Sequence, residues 1–371
     1  RVRKFMKLLK RLLLAPATLG LLAPLSATAN EVTISDFAPA EEFAVTNSRL
    51  EGLEARFNNF EAGSFSSTTS ASFSVDMAIG AVDGNAVSEA LSTAYGYQMD
   101  LSSSFTGEDT LAVAIKAGAG AGSLGELDLN SDGDALRIDG ITYTFPVGEK
   151  LTVLVGDTTD ASALYSTACV YGGFTNTLDD CGIPNTAIEK PDNSVALSAS
   201  YEIGNGFTGA FGYAGQGTDN AGLGTNEGTD QYGAQITYTS ESYGVSVNYA
   251  NLDVSTAWGL NGYYTFANNL PSVSVGYEFT ENEVVGADDT ESTQWFVGFQ
   301  WDELGNGTFG VAMGSRGPQL EDAEEDMAYE VFYTYNVNDN MSITPALFIL
   351  EDNDPGDDDQ TGVVVKTSFS F

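Results

Sequence analysis

Histidine is absent from all 371 residues. Its absence removes Ser-His-Asp and Cys-His nucleophile activation, HExxH zinc sites and imidazole general bases, leaving carboxylate chemistry or none. Basic residues are scarce as well: 14 Lys plus Arg stand against 52 Asp plus Glu, a formal charge of −38. Such a charge repels phosphate backbones and anionic headgroups and excludes nucleic acid as a partner. Disorder is excluded in turn, because 42% hydrophobic and 11% aromatic residues are too many for a chain that never buries surface. Beyond residue 29 there is also no apolar run of the ~20 residues that a spanning helix needs.

What is present begins with an asymmetry. Arg1, Arg3, Lys4, Lys7, Lys10 and Arg11 precede an apolar run from Leu12 to Leu25, broken by Pro16 and Pro24 and followed by Ala27-Thr28-Ala29. A charged n-region, a short h-region and an A-x-A site make residues 1–29 a secretory signal peptide, with Met6 as the natural start. Cleavage after Ala29 leaves eight basic residues (14 less 6) against 52 acids, a mature charge near −44. An exported chain with a mean hydropathy of −0.09 is either soluble or a β-barrel whose lipid face shows only at every second residue.

Residues 30–62 differ in texture from the rest. Phe43, Thr46, Leu50, Leu53, Phe57 and Phe60 recur at alternating steps of three and four, and Gly63 is a natural stop. This a/d seam predicts a short N-terminal helix, either a brief coiled coil or a lone amphipathic helix.

From residue 63 to 371 the period is two. About sixteen alternating runs can be counted, among them Tyr95-Tyr97-Met99-Leu101, Tyr243-Val245-Val247-Tyr249 and Tyr329-Val331-Tyr333-Tyr335. A phase shift at Asp139-Gly140, between Leu136-Ile138 and Ile141-Tyr143-Phe145, predicts a β-bulge. Long acidic intervals, such as Thr158 to Asp192 and Glu351 to Gln360, alternate with tight turns such as Gly204-Asn205-Gly206. Long outer loops alternating with short periplasmic turns mark an all-β fold: a transmembrane antiparallel barrel of about 16 strands in the lipid bilayer, preceded by the short helix. Aromatics gather near strand ends, where a barrel carries its interfacial girdles.

The junction Leu50-Glu51-Gly52-Leu53-Glu54-Ala55-Arg56, leading through Phe60-Glu61-Ala62 to Phe65-Ser66-Ser67-Thr68-Thr69, resembles that of cyanobacterial outer-membrane porins of the carbohydrate-selective or iron-uptake type. Larger members carry an S-layer-homology domain before the coiled coil; here only Glu31 to Ala38 occupies that place. The resemblance implies a passive channel in the cell outer membrane for small hydrophilic solutes and inorganic ions, and a homotrimer. The ending Val363-Val365-Thr367-Phe369-Phe371 resembles the terminal-strand signal read by the outer-membrane assembly machinery, which assigns that role to Phe369 and Phe371.

In such porins the loop after strand five folds into the barrel, and here that interval is the longest. It contains Cys169 and Cys181, which read as a disulfide in an oxidising compartment. They staple either a constriction loop or an exposed one. With odd residues facing lipid, Lys116 and Lys150 point into the lumen, as does Arg137 before the bulge. Opposite them the loop offers Asp157, Asp160, Asp179, Asp180, Glu189 and Asp192, which would set a transverse field across the pore. The competing account is that these bases are lumenal only because charge is expensive against lipid.

Asp128, Asn130, Asp132 and Asp134, with Asp139 at the twelfth position, repeat half of a calcium loop but precede a strand; the alternative is a solvated acidic loop, and no other cofactor is indicated. Acid-rich loops make a cation-favouring pore the expectation. A histidine-free barrel hydrolase and a structural or adhesive barrel are the other readings, and no enzyme activity is expected.

Overall fold

A computed structural model describes residues 69–120, 122–127, 129–130, 133–166, 168–188, 194–216, 222–225, 228–267, 270–283, 290–320, 324–353 and 358–371. The expected signal peptide and N-terminal helix lie outside these residues. Among the described residues seventeen strands form one antiparallel sheet. They are β1 (Thr69–Asp83), β2 (Ser92–Ser103), β3 (Thr110–Gly118), β4 (Arg137–Val147), β5 (Leu151–Asp157) and β6 (Ser194–Gly204). Next come β7 (Phe207–Gln216), β8 (Asp230–Thr239), β9 (Tyr243–Asn251), β10 (Ser255–Thr265), β11 (Ser272–Asn282) and β12 (Thr290–Trp301). The last are β13 (Gly307–Ser315), β14 (Gln319–Leu320), β15 (Met327–Asn338), β16 (Met341–Leu350) and β17 (Gln360–Ser370).

Apart from the short β14, each strand pairs with the next in sequence, β13 with β15, and β17 returns to β1 from Ser74↔Ser370 to Asp83↔Thr361. The sheet is therefore a closed barrel. Both β13 and β14 pair with β12, so β14 continues β13 past a short irregularity and the barrel has sixteen staves. The shift between Ala114↔Gly140 and Ile115↔Ile138 leaves Asp139 as the extra residue, a bulge at the position where the alternation changes phase.

Burial along the strands is inverted relative to a soluble protein. On β9, Tyr243, Val245 and Val247 are exposed, whereas Gly244, Ser246, Asn248 and Ala250 between them are buried. On β10, Trp258 and Leu260 are exposed and Asn261 is buried. Apolar side chains facing out and small or polar ones facing in suit a hydrocarbon surround. Aromatic pairs ring the short-turn end: Tyr143 and Phe145 (5.3 Å), Tyr238 and Tyr243 (5.6 Å), Trp301 and Phe309 (5.5 Å). Phe371 stacks on Phe73 at 5.6 Å, and their backbones exchange hydrogen bonds of 2.8 and 3.0 Å, closing the terminal strand on the first.

The tight turns have their own chemistry. Between β2 and β3, Asp109 accepts from the Phe105 and Thr106 amides and the Ser104, Thr106 and Tyr143 hydroxyls, all within 2.9 Å. The Thr106 amide, followed by the hydroxyls, holds its carboxyl well below the usual carboxylate range.

Two outcomes follow from this architecture. Lysine in place of Val247, an outward residue in mid-strand, should destabilise the lipid-embedded barrel by about 2–4 kcal/mol in a urea unfolding series. A carboxyl lowered on folding contributes stability that is present above its unfolded value of ~3.9 and lost as pH falls through the folded value. Asp109→Asn should therefore weaken the barrel at pH 7 and approach wild type toward pH 2; an equal difference at both pH values would reject the carboxylate's role.

Candidate functional site

The chain leaves β5 at Asp157 and, instead of staying outside, runs through the barrel before entering β6. Its described part, residues 158–188, is tied to inward side chains of distant strands. The Ser166 amide donates to Gln235 on β8 (2.7 Å), and the Val170 and Tyr171 amides donate to Ser274 Oγ on β11 (3.1 and 3.2 Å). Gln300 on β12 accepts from the Gly172 amide and donates to the Val170 carbonyl. Two carboxylates carry the rest. Glu330 on β15 accepts from Tyr171 OH (2.7 Å), the Phe174 and Thr175 amides, and the Thr175 hydroxyl (2.6 Å). Glu278 on β11 accepts from Asn185 (2.7 Å), the Thr186 amide (3.0 Å), Gln294 (2.7 Å) and the Thr280 hydroxyl.

All eight of these partners are donors, the complement an ionised carboxylate needs when it is removed from water. Hydrogen bonds to a charged group contribute about 1.5–3 kcal/mol each, which offsets the desolvation of two acids that are 0% and 3% exposed. Apolar packing points the same way. Tyr171, Phe174 and Leu178 of the loop pack with Phe296, Phe332 and Phe348 from the strands, joined by Leu124 and Leu127 from a 3-10 segment between β3 and β4 (Gly122–Leu127). Inward phenylalanines on a wet wall would each forfeit about 1.5–3 kcal/mol of burial without that cover. The strands make room with glycine: a methyl at Gly276 would collide with the Cys181 carbonyl, and one at Gly298 would lie 2.7 Å from the Tyr171 ring. Cys169 and Cys181 are disulfide-bonded across this same loop.

The apolar packing closes the side of the lumen bounded by β12 to β17, β1 and β2. Next to it, between the inner faces of β3 to β5 and the start of the loop, lies a space of about 290 Å³ lined by Ala112, Ala114, Asp139, Thr142, Leu154 and Asp160, among others. Lys116, inward on β3, forms an ion pair with Asp139 at 2.8 Å. Arg137 stands beside Lys116 in register, exposed at the start of β4.

Other expected residues are placed differently. Lys150 lies in the tight turn between β4 and β5, at the end of the barrel away from the loop, where its carbonyl accepts from the Glu202 amide. Asp157 shares the outward phase of Val153 and Val155 at the rim, so it faces away from the constriction. Lys150 lies beyond the last paired rung, where a side chain follows the turn and not the pleat, while Asp157 is the last rung of β5 and belongs to the strand instead of the loop. Asp160, Asp179 and Asp180 are exposed on the loop; Glu189 and Asp192 lie outside the described residues.

The calcium-like stretch is described only in part. Asp128 and Asp132 lie outside the described residues, while Asp134 accepts from Tyr95 OH (2.6 Å), Asn130 donates to the Tyr97 carbonyl (3.3 Å) and Asp139 pairs with Lys116. Among the described residues no group of three acids or thiols converges as a metal site. Three functional residues escaped the sequence reading: Glu278, Glu330 and Lys366. The last is inward on β17, with its ammonium 5.3 Å from the Phe174 ring centre. A charged residue flanked by outward apolar ones in mid-strand, as at Tyr277-Glu278-Phe279 and Val365-Lys366, was the available signal.

A closed barrel with an apolar exterior, a polar lumen and a loop tied across it defines an outer-membrane channel. The chain belongs to the Gram-negative porin family, whose profile matches residues 52–347. A protein of Nostoc sp. (strain PCC 7120), described as uncharacterized, is 25% identical over 93% of this chain and 74% of its own length. The fold is shared with OprB of Pseudomonas putida (TM-score 0.58, 13% identity, 82% of this chain and 94% of that one). It is shared too with the anion-selective porin of Comamonas acidovorans (TM-score 0.61, 14% identity, 82% and 99%). This is therefore a channel of the outer membrane, not an enzyme.

Replacing Glu330 by Gln sets an amide nitrogen against a backbone amide, of Phe174 or of Thr175, that can only donate. The loop should loosen, and single-channel conductance in a planar bilayer should become larger and noisier, with the folded barrel retained on a heat-modifiability gel. Conductance and noise equal to wild type would dismiss Glu330 as an anchor.

Proposed function

We propose that the protein is a passive diffusion channel for small hydrophilic solutes and ions, favours cations, and works as a homotrimer. The observation that carries the cation preference is the charge balance of the lumen. Asp139 on the wall and Asp160 on the loop both line the open space, in a chain of 52 acids against 14 bases. Asp100 on β2, two residues from Gln98 in the inward phase, adds a further acid, where it accepts from Gln98. An excess of carboxylates along a narrow pore raises the local cation concentration. The anion preference in the Comamonas porin's name belongs to that protein; the acids here argue for the opposite sign.

Lys116 and Arg137 are register partners on β3 and β4, beside the Asp139 that lines the open space with Asp160 of the loop, and bases on the wall with acids on the loop support a transverse field that orients dipolar solutes. Ala112 and Ala114 keep the wall side narrow in side chain and wide in bore. Selection is steric and electrostatic, with no covalent step. Residues 1–29 serve export, and Phe369 and Phe371 present the strand that the assembly machinery reads.

A reversal potential measured in a KCl gradient checks the proposal. Wild type should prefer potassium; Asp160→Asn should lower the preference about twofold or more, and Lys116→Gln, which removes a positive charge beside Asp139, should raise it. A wild-type preference for chloride, or selectivity indifferent to both Lys116→Gln and Arg137→Gln, would refute the charge assignment.

A further inference from the structure

The loop covers the inner wall of the barrel in two places. Its two legs are joined where the Ala161 amide donates to the Ile188 carbonyl (2.9 Å), and these residues pack with Ala196 on β6, Ala214 on β7, Ala250 on β9 and Ala257 on β10. The second cover is the apolar packing around Tyr171 and Phe174, which reaches Ala78 and Val82 on β1 and Ala94 on β2. Between the two covers lies the open space of about 290 Å³ along β3 to β5. The first leg of the loop crowds its edge: a methyl at Gly156 would lie 2.6 Å from Thr159 Cγ2, and one at Gly140 would lie 3.1 Å from the Thr158 carbonyl oxygen.

One side chain on this wall breaks the pattern of its neighbours. Along β2 to β10 the inward positions hold no valine, isoleucine, methionine or phenylalanine, and a single leucine, Leu154 on β5. Its register partners are Thr144 on β4 and Ser198 on β6, and the other inward residues of β5 are Thr152 and Gly156. Leu154 is 5% exposed, yet it belongs to neither cluster of buried apolar side chains. Core packing of the kind that explains Phe296 and Phe332 therefore does not explain it. What it faces is the loop: Leu154 from the wall and Thr159 and Ala163 from the first leg line the same space, where β3 presents only Ala112 and Ala114. An isobutyl group brings neither charge nor hydrogen bond, so toward a hydrated solute it acts by occupying volume in the bore.

We propose that Leu154 is the specificity-determining residue for solute size. It sets the largest cross-section that passes between wall and loop, while the charged groups on the same space act on the sign of the solute. The inference rests on the reading that solutes cross by way of this space.

The test is single-channel recording of the full barrel in a planar bilayer, with uncharged polyethylene glycols of graded length as gauges of the bore. Leu154→Ala removes three carbons and should give quiet steps about 1.3-fold larger or more, with longer polymers entering. Leu154→Phe should give smaller steps and exclude polymers that enter wild type. Leu154→Asn, close to leucine in volume but polar, should keep both readings near wild type. Unchanged steps in Leu154→Ala, steps in Leu154→Asn as large as in Leu154→Ala, or the noise of a loosened loop in place of quiet steps would overturn the assignment. If either the alanine or the phenylalanine variant does not fold on a heat-modifiability gel, the other decides, because the two shift conductance in opposite directions. Wild type without steps fails the channel reading itself, whereas an open wild type matched by every variant fails only the role of Leu154.

Discussion

Closure of the sheet between β1 and β17 is the constraint on which the rest of the structure depends. A backbone amide or carbonyl left unpaired in hydrocarbon costs several kcal/mol, so a sheet that enters a bilayer must have no edge. The register from Ser74↔Ser370 to Asp83↔Thr361 meets that demand. Once the sheet is closed, each strand has one face toward lipid and one toward the interior. The alternation along β9 and β10 is then the chemical record of two solvents.

Closure creates a second problem. A barrel of sixteen staves is too wide for its own side chains to fill. The loop after β5 resolves it on one side, where inward Phe296, Phe332 and Phe348 need apolar cover and Glu278 and Glu330 need donors. Tyr171 meets both needs, with its ring against Phe296 and Phe332 and its hydroxyl on Glu330. Because apolar and polar requirements are met by the same few residues, the loop has little freedom to settle elsewhere. Water is left to the adjoining side, where the wall carries Ala112, Ala114 and the Lys116–Asp139 pair.

Much of this was legible before any coordinates. The runs of alternating residues marked the strands, the phase change at Asp139-Gly140 marked the bulge, and the longest interval held the two cysteines that are bonded. Lys116 pairs with Asp139 at the bulge, whereas Lys150 lies in a tight turn, where a two-residue period carries no information, and Asp157 keeps the outward phase of β5 to its last rung. Spacing makes a ligand set only when the backbone brings the donors together; along the calcium-like stretch Asp134 accepts from Tyr95 and Asp139 pairs with Lys116.

By itself the sequence determined what each face of each strand would be made of, because side-chain direction along a strand is local and repeats every second residue. It also determined the sign of the protein's charge and the lack of any imidazole. Which groups meet inside the barrel was decided only by tertiary structure. Tyr171 and Glu330 are 159 positions apart, and Thr186 and Glu278 are 92 apart. Nothing in their local spacing anticipates a meeting that depends on barrel closure and on a loop turning inward to fill the space that closure leaves.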